Sequence, residues 1–167
     1  FSTITIFKKT IIIFNLPKMV IPIKIKKLHS DAIIPHYAHD GDSGMDVYST
    51  EDIVIMHYKR ILVPTGISFE IPKGFEIQVR PKSGLALNHG LTLLNTPGTL
   101  DSGYRGELKI LIFNTSDQPY EVKKGEKIAQ IILARYEQAE IQEVNDLGDS
   151  SRGEGGFGST GLAHNNI

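Results

Sequence analysis

The sequence predicts an all-β domain, a sandwich or a barrel, and three observations lead there. Apolar residues recur at every second position over short stretches, turn-forming residues recur between those stretches, and only one segment has the end signals of a helix. In chain order, Ile21, Ile23 and Ile25 alternate with Pro22, Lys24 and Lys26, and Phe75, Ile77 and Val79 alternate with Glu76, Gln78 and Arg80. Leu108, Ile110 and Ile112 then alternate with Lys109 and Leu111. A strand sends successive side chains to opposite faces, so each stretch offers one apolar face to a core. Turns are expected at Asp40-Gly41, Pro64-Thr65-Gly66, Pro72-Lys73-Gly74, Asn95-Thr96-Pro97-Gly98, Ser102-Gly103 and Lys124-Gly125. The segment "SGLALNHG", Ser83 to Gly90, predicts a helix of about two turns with Ser83 as N-cap and Gly90 as its C-terminal stop.

A chain of 167 residues suits one buried core. Its formal charge of -1 provides no basic field, which excludes a stable nucleic-acid complex held by charge but leaves single nucleotides open. Without cysteine there is neither a disulfide framework nor a thiolate metal site, so a reducing compartment, the cytoplasm, is expected. Residues 1–18, "FSTITIFKKTIIIFNLPK", contain no acid and read as a disordered or non-native leader ahead of Met19. Lys8 and Lys9 split its apolar run, which is shorter than the roughly 20 residues a membrane span needs, so no membrane partner is expected. The segment also lacks the cleavage pattern of a signal peptide and the arginines of a transit peptide; only as a genuine targeting segment would it send the chain to an organelle or the nucleus. Residues 19–142 form the predicted β domain. Residues 143–167 turn polar and glycine-rich and read as a mobile arm.

Several short patterns fail on inspection. Gly153, Gly155 and Gly158 match a dinucleotide-binding turn, but no strand precedes them and the chain stops before the required acidic residue. Asp40, Asp42 and Glu51 imitate a calcium loop, yet Gly44 stands where a ligand belongs and Met45 where glycine is needed. His36 and His39 have no further ligand cluster that would make a zinc site. Other patterns keep chemical content. Glycines in "SRGEGGFGSTG" let backbone N–H groups approach an anion, Arg152, Ser159 and Thr160 add donors, and Phe157 is free to lie on a planar ring. "RPKSGLALNHG" puts the Ser83 hydroxyl at the positive end of a helix, a place for phosphate or an ordinary cap. Asp101, a lone carboxylate in a turn with Tyr104 and Arg105, could take a proton from water or simply form the turn.

Taken in order, "GMDVYS", "RPKSGLALNHG", "LLNTPGTLDSGYRGE", "GEKIAQIIL" and "SRGEGGFGSTG" resemble the five motifs of the trimeric dUTP pyrophosphatase (dUTPase) family, over roughly Ile21 to Gly161. The resemblance implies a β-clip or distorted jelly-roll subunit, a homotrimer with sites shared among its chains, and hydrolysis of dUTP to dUMP and pyrophosphate with Mg²⁺ on the triphosphate. By the same resemblance Asp101 activates the attacking water, while Asn95, Gly98, Thr99, Leu100 and Lys109 read uracil. Tyr104 packs under the deoxyribose. Lys82, Ser83, Gly84 and Gln130 contact phosphates, and Asp46 is the carboxylate associated with Mg²⁺ through water. Phe157 stacks on uracil, with Arg152, Gly158, Ser159 and Thr160 closing around the terminal phosphate. Lys82 departs from the family's usual arginine, keeping the charge but losing the planar fork. The alternatives are a dCTP deaminase of the same fold, for which no deaminase-like pattern surrounds Glu107, and a catalytically silent nucleotide-binding module.

Overall fold

The structure, a computed structural model, describes residues 20–157 and Ser159, together with the backbone of two strands further upstream. Those two, β1 (Ser2–Ile6) and β2 (Lys9–Ile13), pair antiparallel from Ser2↔Ile13 to Ile6↔Lys9. This strand pair falls within the stretch read as a leader and is in keeping with its β-branched Ile and Thr. The chain divides into two compact units, Phe1–Glu137 and Gln138–Ile167. Among its described residues the second unit has no helix or strand, and it starts slightly before Glu143, where the composition turns polar.

The first unit contains β3 (Lys24–Lys27), β4 (Met45–Tyr48), β5 (Ile53–Ile55), β6 (Arg60–Pro64), β7 (Ile67–Glu70) and β8 (Phe75–Arg80). A single short helix α1 (Ser83–His89) follows, then β9 (Leu91–Leu93), β10 (Gly98–Leu100), β11 (Lys109–Asn114), β12 (Tyr120–Val122) and β13 (Lys127–Arg135). One sheet has the order β10-β8-β13-β4 and another β6-β11-β9, with smaller pairs β12-β5 and β3-β7. All these pairs are antiparallel. Ile77 and Val79 of β8, Ile131 of β13, Ile110 and Ile112 of β11 and Val63 of β6 are buried in one cluster, while Arg80, Lys109 and Leu62 face outward. The alternation read in the sequence is the inward and outward alternation of these strands. Among the described residues no helix is long and apolar enough to cross a membrane.

Four of the six expected turns place their glycine in the left-handed region. Gly41, Gly66, Gly74 and Gly125 all have φ between 65 and 89°, where side chains are disfavoured. Gly66 is held twice over, because an added Cβ would lie 2.9 Å from the Ala32 side chain. The helix corrects one expectation. Its N-cap is Lys82, with extended φ -95° and ψ 127°, and no side chain caps it; Ser83 is the first helical residue. The first helical bond runs from the Ala86 N–H to the Lys82 carbonyl, which sets the boundary one residue earlier than expected. Gly90, at φ 65°, ends the helix as expected by donating back to Ala86.

Of the polar side chains buried among the described residues, Asn114 is the least exposed. Asn114 is 0% exposed, and its amide donates to the Ile55 carbonyl at 3.0 Å and the Gln118 carbonyl at 2.7 Å. Its oxygen accepts from the Ser116 N–H and hydroxyl at 2.9 and 2.7 Å. This fully satisfied amide ties β5, the end of β11 and the turn before β12 together. Asn114→Ala leaves buried carbonyls without partners and should cost about 2–4 kcal/mol of stability, read as a lower urea midpoint with an unchanged slope.

Candidate active site

Between β9 and β11 the chain leaves one sheet, adds β10 to the edge of the other, and returns. β10 is fixed by the register Gly98↔Val79, Thr99↔Gln78 and Leu100↔Ile77. Space at Gly98 is tight: an added Cβ would lie 3.2 Å from the Asn95 amide and 3.4 Å from Val79 Cβ. The next residue after β10 is Asp101. Its carbonyl accepts from the Tyr104 N–H at 3.0 Å, closing a turn that Arg105 locks through bonds to the Ser102 and Tyr104 carbonyls at 2.7 and 2.9 Å. The returning chain is anchored by the Gly66 N–H on Glu107 Oε1 at 2.9 Å and by Thr65 Oγ1 on the Leu108 carbonyl at 2.5 Å.

This excursion encloses a cleft of about 510 Å³. Val79, Leu93, Leu108 and Ile110 provide apolar walls, and Asn95, Thr99, Asp101, Tyr104 and Lys109 provide polar groups at its edge. A cavity of this volume, with apolar walls and about as much polar as apolar lining, suits a small planar ligand that carries polar groups. Among the described residues the Asp101 side chain is exposed and takes part in no hydrogen bond or ion pair, so its carboxylate is open to a ligand or water. Tyr104 is half exposed; its hydroxyl donates to the Glu107 carbonyl at 3.1 Å, which lays the ring over Gly106. A Cβ on Gly106 would sit 2.3 Å from that hydroxyl.

A second polar group gathers where β4, β13 and the start of α1 meet. Asp46 is 9% exposed, and each of its carboxylate oxygens holds an ammonium: Lys82 Nζ at 2.5 Å and Lys127 Nζ at 2.7 Å. Burial works to raise the Asp46 pKa, but hydrogen bonds and charge from Lys127 and Lys82 outweigh it and leave the carboxyl below its ordinary value. Asp46 in turn raises the Lys127 ammonium. Gln130 lies beside them, pairing with Asp46 and Arg80 across the sheet and donating to the Pro81 carbonyl at 3.0 Å. Its side chain passes over Gly44, where a Cβ would meet Gln130 Oε1 at 2.4 Å. Ser83 and Gly84 are exposed at the helix start, and a Cβ on Gly84 would meet nothing within 4 Å.

The sequence-predicted residues thus fall into separate groups. Asn95, Gly98, Thr99, Leu100, Asp101, Tyr104 and Lys109 line one cleft; Lys82 and Gln130 gather with Asp46 in the other group and do not line it. In the second unit Arg152 Nε donates to the Gly155 carbonyl at 2.7 Å, and Phe157 is fully exposed at φ 47°. A bulky ring in the left-handed region is uncommon, and among the described residues this one packs into no core. Gly158 and Thr160 lie outside the described residues. Sequence reasoning assigned no role to Lys127, Gly106 or Gly44. Each sits within or beside a motif, but their roles depend on neighbours that only folding brings close.

Fold and site together define a class: an all-β jelly-roll or β-clip domain with one short helix and a cleft of small-ligand size. A dUTPase family model matches residues 30–161, and the chain belongs to the dUTPase family. It is 54% identical over 139 residues to a deoxyuridine 5'-triphosphate nucleotidohydrolase of Nautilia profundicola, covering 83% of this chain and 98% of that protein. It is 55% identical over 140 residues to the protein of the same description from Clostridioides difficile, covering 84% and 98%. Among solved structures, the dUTPase of Staphylococcus bacteriophage 80alpha with dUPNHPP superposes with a TM-score of 0.79 at 27% identity, covering 84% of this chain and 99% of that one.

Proposed function

We propose that this chain hydrolyses dUTP to dUMP and pyrophosphate, in a homotrimer whose sites draw on more than one subunit. The observation that carries the reading is the convergence of Asn95, Gly98–Leu100, Asp101, Tyr104 and Lys109 on one cleft of base-plus-sugar size. Uracil enters beside β10, where backbone groups of Gly98 to Leu100 and the Asn95 amide meet its polar edge. Cytosine would set donor against donor there and leave buried groups unpaired. Tyr104 lies under the deoxyribose and leaves no room for a 2'-hydroxyl. Asp101 takes a proton from the water attacking the α-phosphorus, a role its uncommitted carboxylate allows. Lys82, Ser83, Gly84 and Gln130 bind phosphates. Because they do not line the base cleft of their own subunit, a neighbour's cleft is the natural partner for them. From the arm, Phe157 stacks on the base, while Arg152, Gly158, Ser159 and Thr160 close around the terminal phosphate.

Mg²⁺ belongs to this reading as a partner of the substrate's phosphates, where it would neutralise charge on the triphosphate. Among the described residues no group of three or more His, Cys, Asp or Glu side chains converges to cage a metal, and both Asp46 oxygens already carry ammonium groups. Within one subunit the described residues therefore form no cage for a metal, and the ion would be held chiefly by the substrate's phosphates.

Pyrophosphate release from dUTP, dCTP and UTP in parallel tests the function. Turnover of dUTP alone is expected; ammonia release from dCTP would establish the deaminase, and no turnover the silent module. Gly106→Ala gives the same assay a sharper form. Gly106 does not adopt a positive φ, so its backbone accepts alanine, and the clash falls on the end of the Tyr104 side chain. The ring is displaced and the fold is kept. Turnover efficiency on dUTP should fall about tenfold or more and the preference over UTP should shrink, with stability changed by less than about 0.5 kcal/mol.

A further inference from the structure

The Asp46 group has a feature that strand geometry alone would forbid. In an unbroken strand, residues three apart point to opposite faces, so Lys127 and Gln130 of β13 should diverge. The pairing of β13 with β4 shifts register between Lys127 and Ala129: Lys127 pairs with Tyr48, Ala129 with Val47 and Gln130 with Asp46. The extra residue, Ile128, is buried next to buried Ala129. This β-bulge turns Lys127 onto the face that carries Asp46 and Gln130, where its ammonium meets Asp46 Oδ2 at 2.7 Å. Lys82 arrives from the other side, because extended Lys82 at the helix cap directs its chain to Asp46 Oδ1 at 2.5 Å.

We infer that Asp46 is a positioning residue that clamps Lys82 and Lys127 as a pair toward the substrate's phosphates, and that it does not serve as a metal ligand. The inference rests on the dUTPase reading above. Two ammonium groups share one carboxylate, so the trio keeps one positive charge in excess, and Lys82 and Lys127 side chains are still 27% and 46% exposed. Lysine is long and freely rotating, and an anion that binds two loose lysines must order both. Asp46 orders them in advance. A metal ion approaching either Asp46 oxygen would meet an ammonium already seated on it and be repelled by two positive charges. The clamp also accounts for lysine in place of the family's usual arginine at 82: an ammonium is a compact charge that lets one carboxylate serve two partners, whereas a guanidinium fork tends to occupy both oxygens.

The test measures the Kd of α,β-imido-dUTP for the wild type, Asp46→Asn, Lys127→Met and the double variant, each in Mg²⁺ and in EDTA. Removing the Asp46 charge favours an anion slightly through exposed, screened groups, but frees two lysine chains, and the second effect is the larger. Asp46→Asn should weaken the analogue about tenfold, by the same factor in both media. Lys127→Met should weaken it in both media as well, and the double variant should lose less than the product of the single losses. The Mg²⁺ concentration for half-maximal dUTP turnover should be unchanged in Asp46→Asn. Loss of affinity confined to Mg²⁺, a raised Mg²⁺ requirement, or full independence of the two substitutions overturns the clamp. Thermal unfolding identifies an Asp46→Asn chain that does not fold, in which case Lys127→Met, on an exposed residue, decides by the same comparison of media. A wild-type chain that binds no analogue in either medium overturns the dUTPase reading itself, and the clamp with it.

Discussion

Asp101→Asn is expected to lower kcat for dUTP by about two to four powers of ten while substrate affinity stays within a few fold. Two aspartates in this chain stand within the motifs, and their surroundings separate their roles. Asp46 is nearly buried and committed to two lysines, so its proton affinity is already depressed by fixed partners. Asp101 is exposed at the rim of the cleft, bonded through its backbone only, and carries a carboxylate with no competitor among the described residues. Only the second can accept a proton from water without breaking an ion pair. Asparagine preserves the shape and the turn, because the Asp101 carbonyl still accepts from Tyr104. What it removes is the basic oxygen. Steady-state pyrophosphate release gives kcat, and binding of α,β-imido-dUTP gives affinity independently of turnover. A kcat within tenfold of the wild type would transfer the proton-accepting role to another group.

The strands that were most legible in the sequence are those with one wet face. β8 and β11 alternate cleanly because Glu76, Gln78, Arg80 and Lys109 face away from a core that Ile77, Val79, Ile110 and Ile112 fill. The glycine turns were legible for a related reason, since positive φ leaves few residues to choose from. Short pairs such as β5 with β12 gave no comparable signal, as three residues cannot display a period. The bulge at Ile128 was invisible in the sequence, and only pairing with β4 shows that the irregularity aims Lys127 at Asp46. The helix cap failed for a kindred reason. Serine is the better capping residue by propensity, but Lys82 is held extended with its side chain on Asp46, and that tertiary contact overrides the local preference. The cleft residues were found through the order of motifs, and their convergence follows from β10 joining the edge of the sheet opposite to β9 and β11.

Truncation after Leu147 should abolish nearly all activity and leave the fold almost as stable as before. Among the described residues it removes, none is buried and none belongs to a helix or strand; Phe157 is fully exposed. The described residues return no apolar area from a core to water, and the thermal midpoint should shift by no more than a few degrees. Catalysis loses the ring proposed to cover uracil, the Arg152 charge, the backbone donors of the glycine run, and the exclusion of water that strengthens each of those contacts. A drop in turnover of about two powers of ten or more is expected. The truncated chain also tests whether sites are shared. Refolded together with full-length chains carrying Asp101→Asn, it should regain dUTP turnover, because some mixed trimers would place an intact Asp101 from one chain under an intact arm from another. Each parent alone should remain near background. Turnover in the mixture no greater than the sum of the parents would confine each arm to its own subunit. The separation of the Lys82 and Gln130 group from the base cleft would then have to be bridged within a single chain, by movement of the segment between β9 and β11, and sharing between subunits would no longer be needed to complete the site.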